Sequence, residues 1–309
     1  LFFIVIFVGT LLFEVPFFDL TIPAMIVLAF GLSFSSTVYA VKVLEDKGDM
    51  GAFYGKIAIG ILVMQDIFAV IFLAVSEGKY PSIYALLVLL LFLPPVKKLI
   101  YKLIDHAGYG ELLVVSGLFF ALVAGYEFFY SVDLKGDLGA LILGIVISNH
   151  PKSKALAKSL FSFKELMLVG FFLSVGMQGL PTIPVILTAI GLVLILPAKT
   201  WLYFFITSRF GLRSRTSLLN AITLGNFSEF GLIVAALGVS QGFLSVEWLL
   251  VVAIAVSISF ATAAPFSKNA EEMYQKYKEA LYSFQKDTLH PKDKVLDTGE
   301  ATVLIIGMG

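Results

Sequence analysis

The sequence has no cysteine, only three histidines and two tryptophans, and little charge. Without cysteine there is no disulfide framework, no thiolate metal site and no catalytic thiol. His106, His150 and His290 show no metal-ligand spacing, and no nucleophile motif accompanies them, so an enzyme is the least favoured class. Charged residues make up 14% of the chain, where a soluble domain carries about 25%. Basic and acidic residues cancel at 22 each, which leaves no electrostatic footprint for a nucleic-acid partner.

What is there is apolar. Hydrophobic residues form 59% of the 309 residues and mean hydropathy is +0.94. A water-soluble fold cannot hide that much apolar surface, so lipid must cover it. At about 20 apolar residues per crossing, the sequence predicts about ten spans: 1–14, 22–44, 53–76, 82–104, 110–130, 137–149, 164–179, 182–208, 216–241 and 245–266. The runs 137–149 and 164–179 are short and read as tilted or half helices. One set of alternate loops carries Lys42, Lys47, Lys56, Lys97, Lys98, Lys102, Lys152, Lys154, Lys158, Lys164, Arg209, Arg213 and Arg215; the other set carries Lys79 and Lys135. Basic loops stay in the cytoplasm, so the reading is an integral membrane protein of a prokaryotic inner or plasma membrane with a cytoplasmic C-terminus. Lipid is therefore a partner of the fold.

The domain reading is a membrane domain over 1–267, an amphipathic linker over 268–294 and an opening strand over 295–309. The linker shows Tyr274, Tyr277, Leu281 and Phe284 at helical spacing among charges. The strand runs Val303-Leu304-Ile305-Ile306 into Gly307-Met308-Gly309, as a dinucleotide-binding unit begins, with the third glycine, the helix and the acidic residue absent. Gly307 and Gly309 are thus the incomplete nucleotide motif. Both ends of the chain read as cut, since Leu1 lies inside an apolar run and Gly309 inside a motif.

Ionisable groups at membrane depth are functional candidates. Asp66 falls mid-span in Gln65-Asp66-Ile67, Lys199 in Pro197-Ala198-Lys199-Thr200, and Glu229 in Asn226-Phe227-Ser228-Glu229. The bland alternative is a structural ion-pair network, which is the better reading for Lys199 than for Asp66. A carboxylate in low dielectric takes a proton readily, so Asp66 is able to trade a proton for a cation; Gln65 beside it hydrogen-bonds without titrating. Two spans carry helix-disfavouring runs, Gly31-Leu32-Ser33-Phe34-Ser35-Ser36-Thr37 and Gly225-Asn226-Phe227-Ser228. Unwound backbone survives at that depth only where protein or a water-filled cavity satisfies it. Matching broken helices in two halves mark the ion site of an inverted-repeat transporter. The alternative for each run is small-residue helix packing. Oxygens around Ser35, Ser36, Thr37, Asn226 and Ser228 are the expected neutral cation ligands, with Glu229 alongside.

These stretches, together with Phe172-Leu173-Ser174-Val175-Gly176-Met177, resemble the monovalent cation:proton antiporter-2 family, and within it the Kef-type potassium/proton antiporters. The resemblance runs the length of the chain. It implies an all-α membrane bundle with two crossing broken helices, a core domain moving against a dimerisation domain, and a homodimer. By resemblance about three helices precede Leu1, Asp66 carries cation and proton, and Lys199 pairs with or tunes the carboxylate site. It also implies exchange of potassium, or alternatively sodium, for protons by alternating access. No cofactor is implied within this chain; an NAD- or AMP-like nucleotide belongs to the Rossmann-like regulatory domain that would follow. The basic stretch His150 to Lys158 departs from the acidic loop of glutathione-gated members. A gated efflux channel and a non-transporting nucleotide sensor are the competing readings.

Overall fold

The structure is a computed structural model and describes residues 4, 6, 20–76, 88, 90–131, 136–177 and 179–294. Among them every element is helical and none is a strand. The helices are α1 (Ile22–Ser33), α2 (Thr37–Asp46), α3 (Phe53–Ser76), α4 (Pro94–His106), α5 (Glu111–Leu118), α6 (Phe128–Ser131), α7 (Gly136–Ile147), α8 (Ser153–Gly176), α9 (Ile183–Val193), α10 (Leu196–Arg209), α11 (Ser214–Leu224), α12 (Phe230–Ser240), α13 (Val246–Lys268) and α14 (Ala270–Tyr282). A π-helical segment, Phe119–Glu127, joins α5 to α6. Spans expected at 1–14 and the strand at 301–309 fall largely or wholly outside the described residues.

Contacts divide the chain into two compact units, Leu1–Val63 with Gly179–Gly309, and Met64–Gln178. In the first, α1 lies against α12, α10 against α11, and α13 against both α9 and α12. The backbones of α1 and α12 nearly touch: a Cβ on Gly31 would sit 3.3 Å from the Gly231 Cα, so neither position accepts a side chain without separating the helices. In the second unit, α7 packs on the π segment and α8 on α5 around Ile104, Leu113, Phe120, Leu143, Val146 and Leu156. Within the π segment Gly125 approaches α7 so closely that a Cβ would lie 2.8 Å from the Ala140 Cα.

Three expected spans take a different form. The run 164–179 is no half helix but the end of the 24-residue α8, which absorbs Lys154, Lys158 and Lys164. The lysines suggested a loop, yet Leu156 and Leu160 recur at i, i+4 and seat that stretch on the core. Within the expected span 82–104, described residues 90–92 form a short 3-10 turn and α4 begins at Pro94, because the Pro94-Pro95 pair lacks N–H donors and holds Leu93 extended, at φ −68° and ψ 139°. The span 182–208 is interrupted at Leu194-Ile195, since Pro197 cannot donate to the carbonyl four residues back. The interruptions expected within 31–37 and 225–228 are present, at residues 34–36 and 225–229.

The linker helix α14 forms where predicted and lies against α11. It is tied there by Arg215, whose Nε reaches both Glu271 oxygens at 3.1 and 3.0 Å while Nη2 reaches Oε2 at 2.8 Å. Farther along, the Asp293 carboxylate accepts from the Arg213 N–H at 2.7 Å and the Thr216 hydroxyl at 2.8 Å. Gln285 Oε1 accepts from the Ser214 N–H at 2.9 Å. The linker thus supplies the N-terminal cap of α11 from outside the helix.

A candidate ion site at the crossing of two interrupted helices

Within the first unit, the breaks between α1 and α2 and between α11 and α12 meet and exchange hydrogen bonds. The Ser36 N–H donates to Asn226 Oδ1 at 2.7 Å, and the Ser35 hydroxyl donates to the Leu224 carbonyl at 2.6 Å. Asn226 Nδ2 donates to the Thr223 carbonyl at 3.0 Å, which fixes the amide's orientation. Ser36 Oγ caps α2 by accepting from the Tyr39 N–H at 3.2 Å and donates to Glu229 Oε2 at 2.8 Å. Ser228 Oγ accepts from the Phe230 N–H at 3.1 Å and opens α12. Ser35, Ser36, Asn226 and Ser228 are all buried, so these bonds satisfy groups that water cannot reach. Thr37 begins α2 and is half-buried.

Lys199 enters this crossing from α10. Its Nζ donates to the carbonyls of Asn226 at 2.7 Å, Phe34 at 2.8 Å and Leu32 at 3.3 Å, and lies 5.4 Å from the centre of the Phe227 ring. Those carbonyls belong to the C-terminal ends of α1 and α11, where the helix dipoles concentrate negative charge. An ammonium has three N–H donors, and each finds an oxygen. The resemblance has Lys199 pair with or tune the carboxylate site; the structure adds three main-chain oxygens that no side-chain pattern announces. The Glu229 carboxylate meanwhile faces the N-terminal end of α2 through Ser36, the favourable end for an anion. Opposite charges therefore sit at opposite helix ends of one crossing.

Some supporting residues were not anticipated. Tyr203, one turn beyond Lys199, places its hydroxyl 3.3 Å from Ser35 Oγ, and Ser259 on α13 accepts from the Phe227 N–H at 3.2 Å. The signal for Tyr203 is its i+4 spacing from Lys199; for Ser259 a lone hydroxyl in an apolar helix gives almost none. Asp66 and Gln65 lie on α3 in the second unit, and Asp66 follows Leu62, which packs with Ala40, Ala58 and Leu224, by one helical turn. The Asp66 side chain is exposed, as are Val63, Met64 and Phe68, where the sequence reading placed it in low dielectric. Gly307 and Gly309 fall outside the described residues. No group of three or more His, Asp or Glu able to hold a metal occurs among the described residues.

Residues 1–268 match the family model of the sodium/hydrogen exchanger transmembrane domain. The chain is 28% identical over 250 residues to the putative cation/proton antiporter YbaL of Escherichia coli, covering 71% of this chain and 44% of that protein. It is 23% identical over 315 residues to the K(+) efflux antiporter 1, chloroplastic, of Arabidopsis thaliana, covering 93% of this chain and 26% of that protein. The chain thus spans less than half the length of either relative. Five described helical stretches are long and apolar enough to cross a membrane, Ile22–Asp46, Phe53–Phe72, Glu111–Ser131, Ile183–Arg209 and Val246–Lys268. The two interrupted helices are tied through Asn226 and Ser36, and this integral membrane protein belongs to the sodium/hydrogen exchanger transmembrane family, a family of transporters and not of enzymes.

Proposed function

We propose that the chain is the ion-translocating part of an antiporter that exchanges a monovalent cation for protons by alternating access. The observation that carries this reading is Lys199 held by three carbonyl oxygens at the helix crossing. Neutral oxygens converging on a buried position make a site for a single positive charge, and here the protein's own ammonium fills it. A monovalent cation entering the crossing competes with that ammonium for the same oxygens. Asp66 is the group proposed to carry the proton in one direction and the cation in the other, because it is titratable, lies mid-way along α3 and is accessible. Ser35, Ser36, Asn226 and Ser228 keep the crossing assembled, and Glu229 balances its charge.

Potassium is the favoured cation, on the printed name of the Arabidopsis relative and the Kef-type resemblance; sodium is the alternative. The proposed assembly is a homodimer with inverted repeats, its linker on the cytoplasmic side and leading to a nucleotide-binding domain. The test is proton flux in liposomes holding the full-length protein, with potassium, sodium or lithium offered in turn. Saturable flux coupled to one of them is the expected result. Cation movement without proton countermovement would favour a channel, and no flux with any cation would favour a sensor.

A further inference from the structure

The first unit contains a cavity of about 420 Å³ walled by α9, α10, α11, α13 and α14. Its lining is almost entirely apolar, with Leu194, Trp201, Leu218, Ile222, Phe266 and Leu281 among its walls. Leu194, Trp201 and Phe266 are also exposed on the outside, so the cavity opens toward the medium that bathes the membrane face. Its inner end reaches Thr200 and Gly225, which are in such close contact that a Cβ on Gly225 would lie 2.3 Å from Thr200 Oγ1. Thr200 follows Lys199 and Gly225 precedes Asn226, so the cavity ends at the back of the crossing.

Outside the cavity the same helix carries a ladder. The Trp201 ring stacks on Phe205 at 5.3 Å with 13° between planes, and the Arg209 guanidinium lies 4.8 Å from the Phe205 centroid. Arg209 is exposed, in the last turn of α10, and no carboxylate pairs with it among the described residues. From Leu196 to Arg209 α10 rises about 20 Å, close to the roughly 20–22 Å of one leaflet with its headgroups. The linker helix overhangs the same end, contributing Met273 and Leu281 to the cavity and Lys276 above Tyr277.

We propose that this cavity binds an anionic phospholipid, with one acyl chain inside it and the phosphate on Arg209. An apolar slot needs a chain that the membrane already supplies, and an exposed guanidinium two turns beyond Trp201, linked to that wall residue through Phe205, selects for phosphate, which it grips with two parallel donors. Basic pockets between membrane helices select anionic headgroups on the same grounds. The bound chain braces α10 against α11 immediately behind the Lys199–Asn226 bond and touches the linker at Met273 and Leu281, so the lipid joins the linker to the crossing. The proposal rests on the membrane location of these helices and not on the transport reading.

The test uses full-length protein in liposomes doped with phosphatidylglycerol carrying a photoactivatable group at the end of one acyl chain. Labelling concentrated on Leu218, Ile222 and Thr262, and competed about fivefold better by phosphatidylglycerol than by phosphatidylcholine, is the expected result. Arg209→Gln should erase that preference while leaving the label in place, and Ala263→Phe, which fills the slot, should remove the label. The wild-type map decides the matter if the filled variant does not fold. Label spread evenly over outer positions such as Leu187 and Leu173 would overturn the proposal, as would a headgroup preference that survives Arg209→Gln. Competition by inorganic phosphate as strong as by phosphatidylglycerol would overturn it too, by showing a free-anion site.

Discussion

Lys199 and Asn226 are joined by a 2.7 Å hydrogen bond from the ammonium to the main-chain carbonyl, while the Asn226 side chain accepts from the Ser36 N–H at 2.7 Å. One residue therefore holds the internal cation through its backbone and the opposite broken helix through its amide. Asn226→Ala should leave the buried Ser36 N–H and Thr223 carbonyl without partners, at a cost of about 1–3 kcal/mol for each group left unsatisfied. Thermal unfolding in detergent should show a clear loss of stability, larger than for Ser240→Ala, whose exposed hydroxyl bonds only within its own helix. Equal melting temperatures for the two variants would mean that the amide does not hold the crossing.

The interruptions were legible in the sequence because Ser35, Ser36, Asn226 and Ser228 are polar residues in otherwise apolar spans, which leaves few structural roles open to them. The linker helix was legible from its period. The carbonyl cradle of Lys199 was not, because every residue brings the same carbonyl and only the tertiary crossing decides which three converge. The helical character of 153–163 was masked by its lysines, which lie along a helix whose Leu156 and Leu160 face inward. Pro94 and Pro197 were visible as residues, but hydropathy averaged across them hid the stops they impose on the helices.

Asp293→Ala should loosen the N-terminus of α11. It removes the acceptor for the Arg213 N–H and the Thr216 hydroxyl, and loss of such a cap costs about 0.5–2 kcal/mol. Amide exchange at residues 213–217 should accelerate, with Asp293→Asn partly restoring protection because its carbonyl still accepts. Unchanged exchange in the alanine variant would show that the linker does not cap this helix.

The Arg215–Glu271 pair gives the linker contact a pH dependence. The guanidinium hydrogen-bonded to Glu271 holds its carboxyl below the usual value. A group whose folded value is depressed contributes stability that is whole above the unfolded value and is lost as pH falls through the folded one. Both side chains are about half exposed, so the contribution is at most about 1 kcal/mol. Protease protection of residues 270–293 should therefore hold at neutral pH and weaken in the acid carboxylate range, and Glu271→Gln should show weaker protection already at neutral pH. Protection that does not respond to pH in the wild type would remove this pair from the linker contact.

Asp66→Asn should abolish coupled exchange while leaving a folded, inserted protein, since the amide keeps the size and cannot release a proton. Proton flux in liposomes, alongside a melting temperature near that of the wild type, checks both halves of the expectation. Normal exchange by this variant would remove Asp66 from the transport step.

The claim that Lys199 occupies a site built for a monovalent cation is tested most directly by melting Lys199→Met in detergent with potassium, sodium or choline. Methionine keeps the length of the stem and leaves the Leu32, Phe34 and Asn226 carbonyls without the ammonium. The account predicts a loss on the order of 1.5–3 kcal/mol in choline, the range for bonds to a charged group. Potassium or sodium should recover much of that loss, and the wild type, whose ammonium already holds these oxygens, should gain far less from either. A variant as stable as the wild type in choline, or one that potassium and sodium fail to rescue, would contradict it.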